Sequence, residues 1–135
     1  MFDCLQESGL SHGDWMRVNI LIIDDEESIR FSFRRFLTAE GHNVITAGSY
    51  REALARMDET EFELILADIV LDDGCGIDIL EEVARRKLKT RVIIMTAYPS
   101  TETAQDSFRL RAVDYLVKPL RQGELINSVK EALGR

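Results

Sequence analysis

The sequence predicts an α/β fold in which a parallel five-stranded sheet is doubly wound by helices on both faces. From Val18 onward, short continuous apolar runs alternate with segments whose apolar residues recur at helical spacing, which is typical of repeated βα units. The 135 residues hold five such units, which are too few for an eight-stranded barrel and enough for one domain. We therefore expect an open sheet with right-handed crossovers and the strand order 2-1-3-4-5.

The first two units contain the clearest helical pattern. The run from Val18 to Ile23 is apolar except for Asn19, as expected for a strand that is covered on both faces. The following helix has a natural stop at Gly41, and its apolar face consists of Ile29, Phe33, Phe36 and Leu37. Residues 43–47 form a second strand, and Ser49 is placed to cap a short helix whose apolar residues are Ala53, Leu54 and Met57.

The last three units continue the alternation. Strands are predicted at residues 62–67, which lead into Asp68, at residues 91–95 and at residues 115–117. The third helix has an apolar stripe of Ile77, Leu80, Val83 and Ala84, and the last has Ile126, Val129 and Leu133. The fourth helix, over residues 101–110, is the least periodic. The whole is a flavodoxin-like sandwich of five βα units.

Composition excludes several classes of protein. The net charge is −7 and the basic residues are scattered, which argues against nucleic-acid binding or an anionic-membrane patch. No apolar run approaches the roughly 20 residues of a membrane-spanning helix. Cys4 and Cys75 lie far apart, and the first residues lack a signal-peptide pattern, so we expect reduced thiols and a cytoplasmic location. Residues 1–16 are an extension of unknown role, compatible with a native extension, a tail or a cloning remnant.

Polar side chains end four of the predicted strands. Asp24 and Asp25 follow the first, Asp68 the third, Thr96 the fourth and Lys118 the fifth. Since open parallel sheets carry their functional site beyond the carboxyl ends of the strands, these groups are expected to meet in one crevice. Each alone is more simply explained as a helix cap, a strand-end residue or a solvated charge, but their convergence favours a site.

The predicted crevice suits phosphoryl chemistry. Three close carboxylates are costly to keep ionised unless a hard cation binds them, and Mg²⁺ or Mn²⁺ suits such oxygen ligands. A carboxylate beside such a cation can serve as a nucleophile toward phosphorus and form an aspartyl phosphate. Thr96 could donate a hydrogen bond to a phosphoryl oxygen, and Lys118 could supply compensating positive charge.

The same residues resemble a known family. Asp24-Asp25, "LADIVLDDGCG" around Asp68, "IIMTA" ending at Thr96 and "DYLVKP" through Lys118 are similar to the receiver domain of bacterial two-component response regulators. The resemblance assigns residues 17–135 to a receiver domain. It implies that a histidine kinase or a phosphotransfer protein delivers a phosphoryl group to Asp68. The protein would then be a regulatory phosphoacceptor rather than an enzyme, catalysing only its own phosphotransfer and slow dephosphorylation.

The resemblance also implies roles for individual residues. Asp24, Asp25, Asp68 and the backbone carbonyl of Val70 would bind Mg²⁺, and Lys118 would contact the phosphoryl oxygens. Thr96 and Tyr115 would form the switch pair, and the Lys118-Pro119 bond resembles one that is cis in the family. The output surface would comprise the fourth helix, the fifth strand and the fifth helix. It would control an output domain, a downstream protein or phosphorylation-dependent homodimerisation.

The loop after Asp68 departs from the family pattern. Asp72 stands where many receivers have proline, and Cys75 stands where Asp or Asn is usual. We expect a more flexible and more acidic loop, in which Asp72 and Asp73 serve as solubility and turn residues, and a third helix that starts differently. The family positions that influence dephosphorylation carry Val70 and Tyr98, an apolar and aromatic pair that is expected to slow attack by water.

Three rival sites fit less well. A haloacid-dehalogenase-type phosphatase needs a second Asp two residues after its nucleophile, where Val70 stands. The acidic run after the first strand would repel a flavin phosphate, and the loop at Asp72 lacks the final Glu of a calcium loop, having Val83 there. A degenerate receiver that serves as a phosphorylation-independent binding module is the strongest alternative.

Overall fold

The computed structural model describes residues 17–135, and the predicted extension 1–16 lies outside the described residues. The strands of the main sheet are β1 (Asn19–Ile23), β2 (Asn43–Ala47), β3 (Leu64–Asp68), β4 (Arg91–Thr96) and β5 (Asp114–Val117). The helices are α1 (Glu27–Ala39), α2 (Tyr50–Glu59), α3 (Gly76–Arg85), α4 (Thr101–Arg109) and α5 (Gln122–Ala132). All strand pairs in this sheet are parallel, and the order is β2-β1-β3-β4-β5. The predicted fold class is therefore confirmed.

Two hydrophobic cores cover the two faces of the sheet. Ile20 and Ile22 belong to the core beneath α1 and α5, whereas Leu21 and Ile23 belong to the core beneath α2 and α3. This division explains why β1 is continuously apolar, since its alternate side chains point to opposite faces. Among residues 17–135, no helix is long and apolar enough to cross a bilayer.

The buried faces of two helices differ from the predicted stripes. In α3, Ile79 is fully buried although it was not predicted, and Ala84 is exposed. In α5, Leu125 is fully buried while Ile126 is half-buried. Ile79 and Leu125 each directly precede a residue of the predicted stripe, and neighbouring residues lie about 100° apart around a helix. Both members of such a neighbouring pair are apolar, so the apolar period alone does not decide which of them faces the sheet.

The segment between β3 and α3, predicted as an acidic loop, forms a short antiparallel hairpin. Val70–Leu71 pairs with Gly74–Cys75, and Asp72 and Asp73 form its tip. Cys75 caps α3, because its Sγ accepts a hydrogen bond from the Ile77 amide at 3.4 Å and its own amide donates to Asp78 Oδ2 at 3.2 Å. The unusual cysteine thus starts the helix at Gly76.

A close backbone approach explains the glycine at the start of α3. A Cβ on Gly76 would lie 2.4 Å from the backbone oxygen of Asp68. We expect Gly76→Ala to lower the free energy of unfolding by about 2 kcal/mol, because the backbone must move to relieve the overlap. Urea unfolding measures this loss.

Gly123→Ala is the matched control, since a Cβ there meets nothing within 4 Å. Alanine favours helix relative to glycine by up to about 1 kcal/mol, so this variant should unfold at equal or higher urea concentration. Equal stability of the Gly76→Ala variant and the wild type would contradict the steric explanation.

Candidate functional site

Three carboxylates meet at the carboxyl edge of the sheet. Asp24 and Asp25 follow β1, and Asp68 ends the adjacent strand β3. One carboxylate oxygen of each lies within 4.8 Å of the others. Asp24 and Asp68 are buried, and Asp25 is half-buried. The structure therefore brings together the acidic residues that the strand ends predicted.

Lys118 bridges two of these carboxylates. Its Nζ donates to Asp24 Oδ2 at 2.6 Å and to Asp68 Oδ2 at 2.7 Å, and its side chain is 9% exposed. The preceding strand β5 lies two strands away from β3, next to β4, so the side chain reaches across the end of β4. Lys118-Pro119 is a cis peptide bond, as the resemblance implied.

Burial and mutual repulsion set the protonation of the crevice. Burial raises the pKa of Asp24, and the hydrogen bond from Lys118 only partly offsets it. Burial also raises the pKa of Asp25, with further contributions from the charges of Asp72 and Asp68. Burial opposes the charge of Lys118, but its hydrogen bonds with Asp24 and Asp68 leave its pKa above the usual value. The Lys118 ammonium group therefore stays charged, and the carboxylates around it still give the site an excess of negative charge.

This charge imbalance fits a hard divalent cation. The available donors are carboxylate oxygens, which Mg²⁺ and Mn²⁺ accept readily, and Asp25 belongs to the cluster without being bridged by Lys118. A divalent ion would offset the mutual repulsion of these carboxylates, which adds to the effect of burial on their pKa values. The residues present are therefore suited to such an ion.

The raised pKa values predict a pH-dependent cation affinity. A cation competes with protons for the carboxylates, so acidification should weaken Mg²⁺ binding at a higher pH than for carboxyls with the ordinary value. In metal-free protein, acidification has the opposite effect and favours folding. A carboxyl whose pKa is raised by folding binds protons more readily in the folded state. Its contribution to stability is therefore lost as the pH rises through the raised value. Calorimetric Mg²⁺ titrations from neutral pH to about pH 5 test the first part.

Asp72→Asn provides a sharper test of this pH dependence. Removing the charge of Asp72 removes one cause of the raised pKa of Asp25, so the midpoint of the affinity loss should move to lower pH. Asp58→Asn is the control, because Asp58 pairs with Arg86 after α3 and should leave the midpoint unchanged. Equal midpoints in all three proteins would contradict the role of Asp72.

The two predicted switch residues make separate contacts around the start of α4. Thr96 is fully buried at the end of β4, and its Oγ1 accepts a hydrogen bond from the Tyr98 amide at 2.9 Å. The Tyr115 hydroxyl lies 2.7 Å from Thr103 Oγ1 and accepts from the Ser100 amide at 3.3 Å. Tyr115 is thus tied to the first turn of α4, a contact that sequence reasoning did not predict.

Val70 and Tyr98 follow Asp68 and Thr96 by two residues and lie beside the crevice. The Val70 amide donates to Asp68 Oδ1 at 3.0 Å. Val70 is 52% exposed and Tyr98 is 78% exposed. An apolar and an aromatic side chain therefore stand in solvent on the segments that follow Asp68 and Thr96.

Asp73 has a structural role that sequence reasoning missed. Its carboxylate accepts hydrogen bonds from the backbone amides of Tyr50 at 2.7 Å and Arg51 at 3.0 Å. Asp73 lies in the turn of the hairpin, as predicted, and it also caps a helix 22 residues earlier in the chain. A contact at this separation leaves no local pattern in the sequence.

Comparisons with known proteins agree with this architecture. A family model described as the response regulator receiver domain matches residues 20–130. The transcriptional regulatory protein ZraR of Escherichia coli is 37% identical over 116 residues, which cover 86% of this chain and 26% of ZraR. The chain thus spans about a quarter of the length of this curated relative.

Two solved structures are similar over most of the chain. The beryllofluoride-activated NtrC4 receiver domain dimer has a TM-score of 0.81 at 30% identity, covering 86% of this chain and 96% of that one. The response regulator TrrA of Thermotoga maritima, in complex with Mg²⁺ and BeF, has a TM-score of 0.75 at 30% identity, covering 84% and 97% of the two chains.

Proposed function

We propose that Asp68 accepts a phosphoryl group and thereby switches an output surface, because the chain belongs to the family of response regulator receiver domains. Receiver domains are regulatory parts of signalling proteins, so the donor would be a histidine kinase or a phosphotransfer protein. The observation that carries the proposal is the bridging of Asp24 and Asp68 by one buried ammonium group. In the proposed function, Asp68 would be the nucleophile, Asp24 and Asp25 would bind the cation, and Lys118 would receive the phosphoryl oxygens.

The transfer itself would use few protein groups. A carboxylate oxygen of Asp68 forms a bond to phosphorus as the bond between phosphorus and the donor's imidazole nitrogen breaks, and the electron pair stays on that nitrogen. Lys118 would move from its carboxylate partners to the phosphoryl oxygens, which gain a charge-assisted donor. Thr96 would donate its hydroxyl to another of these oxygens.

The proposed cation ligands are Asp24, Asp25, Asp68 and the backbone carbonyl of Val70. When bound, Mg²⁺ supplies positive charge that offsets the phosphoryl oxygens and the carboxylates. The complex of TrrA with Mg²⁺ and BeF supports the same chemistry for this chain. Because the carboxylates are oxygen donors of the same kind, Mn²⁺ is expected to substitute.

Phosphorylation would act on α4 and β5 through the switch pair. A phosphoryl group adds about two negative charges and three strong acceptors, so the Thr96 hydroxyl gains a new partner in the crevice. The Thr96 hydroxyl would then give up its hydrogen bond from the Tyr98 amide, which would free the segment between β4 and α4. Tyr115 would turn inward behind Thr96. The contacts from Tyr115 to Thr103 and Ser100 would break in the same step.

The proposed output surface consists of α4, β5 and α5. It carries exposed apolar side chains, Phe108 at 52% and Val117 at 48%, and the exposed residues Arg109, Arg111 and Arg121. These arginines could pair with acids of a second copy, and NtrC4 forms a dimer in its beryllofluoride-activated state. We therefore propose that phosphorylation controls dimerisation, an output domain or a downstream protein.

Hydrogen exchange with and without beryllofluoride tests this function. With Mg²⁺ present, beryllofluoride is expected to change amide exchange in α4 and β5, and light scattering reports whether the mass doubles. Mg²⁺ with fluoride alone is the control. Unchanged exchange throughout α4, β5 and α5 would favour a phosphorylation-independent binding module, the degenerate receiver.

A further inference from the structure

The hairpin after β3 is tied to α2 across the end of β1. The strand order places β1 between β2 and β3, while α2 follows β2 and the hairpin follows β3. A contact between the hairpin tip and the start of α2 must therefore pass over the carboxyl end of β1. Asp24 and Asp25 lie at that end.

Two contacts make this tie. The Asp73 carboxylate accepts from the amides of Tyr50 and Arg51, which are the first two residues of α2. Such amides have no partner within their own helix, and negative charge is favourable at a helix start. Gly74 also packs closely on Tyr50, since an added Cβ would lie 2.9 Å from the Tyr50 Cβ.

The other end of the hairpin is joined to the acidic cluster. Val70 pairs with Cys75 across the hairpin, and the Val70 amide donates to Asp68 Oδ1. The hairpin therefore begins directly beside the Asp68 carboxylate. The hairpin is thus held at Asp68 on one side of the cluster and at α2 on the other.

We infer that Asp73 is a positioning residue for the divalent cation: by fastening the hairpin to α2, it holds the Val70 backbone beside the Asp68 carboxylate. This inference rests on the proposed function, in which the Val70 carbonyl is a cation ligand. Asp73 itself binds two amides and does not contact the cation. Its effect on the cation passes entirely through the position of the hairpin.

The experiment compares Mg²⁺ affinity with helix stability. Asp73→Ala removes both hydrogen bonds, and we expect the Mg²⁺ Kd, measured by calorimetry, to rise roughly tenfold, as for outer partners of metal ligands. Ser49→Ala is the matched control, because the Ser49 hydroxyl caps the same helix through the Glu52 amide at 3.0 Å, a bond that involves no hairpin residue. It should lower the melting temperature in EDTA and leave the Kd unchanged.

A second variant separates anchoring from charge. Asp73→Asn loses the negative charge but keeps one acceptor oxygen, so its Kd should lie between those of the wild type and Asp73→Ala. Hydrogen exchange of the hairpin amides in EDTA should follow the same order, since the tie exists without the cation. These readouts do not require phosphorylation.

The outcomes separate this inference from the proposed function. An unchanged Kd in Asp73→Ala, or an equal rise in Ser49→Ala, would overturn the positioning role while leaving the phosphoacceptor proposal intact. An equal rise in Asp73→Asn and Asp73→Ala would assign the effect to charge and would also overturn it. A wild-type protein that binds no Mg²⁺ would overturn both.

Discussion

Asp68→Asn is expected to abolish stable Mg²⁺-dependent phosphorylation by acetyl phosphate. An amide oxygen is a poor nucleophile toward phosphorus, and the other carboxylates of the cluster have different roles in the proposed reaction. Asp24 is fully buried and accepts hydrogen bonds from Lys118 and the Glu26 amide, so it is poorly placed to substitute. Incorporation of labelled phosphate measures the loss directly.

Asp58→Asn serves as the control for charge removal. Asp58 lies on α2 and pairs with Arg86 at 2.9 Å, so labelling of this variant should equal that of the wild type. Circular dichroism establishes that both variants are folded. Equal labelling of the Asp68→Asn variant and the wild type would show that another residue accepts the phosphoryl group.

Lys118→Ala is expected to have the second largest effect, on both reaction and stability. The variant leaves Asp24 and Asp68 buried without the ammonium that bridges them. Breaking a buried ion pair by removing one partner costs about 3–5 kcal/mol, and the free energy of unfolding in EDTA should fall by about that amount. Phosphoryl transfer should also slow strongly, because the phosphoryl oxygens lose a charged donor.

Conditions and a matched variant sharpen the interpretation of Lys118→Ala. Mg²⁺ should recover part of the lost stability by neutralising the same carboxylates, and so should acidification, which protonates them. Lys130→Ala is the control, since the exposed Lys130 lies 3.9 Å from Glu40 and such pairs contribute about 0–1 kcal/mol. Similar stability losses in the two lysine variants would contradict the electrostatic account of the crevice.

The features predictable from sequence share a common physical basis. A strand buried on both faces must be continuously apolar, as Ile20–Ile23 are, and parallel strands bring their carboxyl ends to one edge. These two rules suffice to place Asp24, Asp25 and Asp68 in one cluster and to bring Lys118 near them. The local pattern of apolar runs and strand-end residues is therefore enough to predict both the fold and the main groups of the candidate site.

The features that escaped prediction depend on distant contacts. Asp73 finds its partners at Tyr50 and Arg51 only because α2 begins beside the hairpin tip. Similarly, Tyr115 meets Thr103 because β5 runs next to the start of α4. Neither pair has a characteristic spacing, so the residues are identifiable as partners only after the sheet order is known.

The most direct test of the central claim is the location of the phosphoryl group. Wild-type protein treated with acetyl phosphate and Mg²⁺, then reduced with borohydride and digested, is analysed by mass spectrometry for conversion of an aspartyl phosphate to homoserine. We predict conversion at Asp68, dependent on Mg²⁺ and absent in EDTA. Conversion at another aspartate, or none despite bound Mg²⁺, would contradict the assignment of this chain as a phosphoacceptor at Asp68.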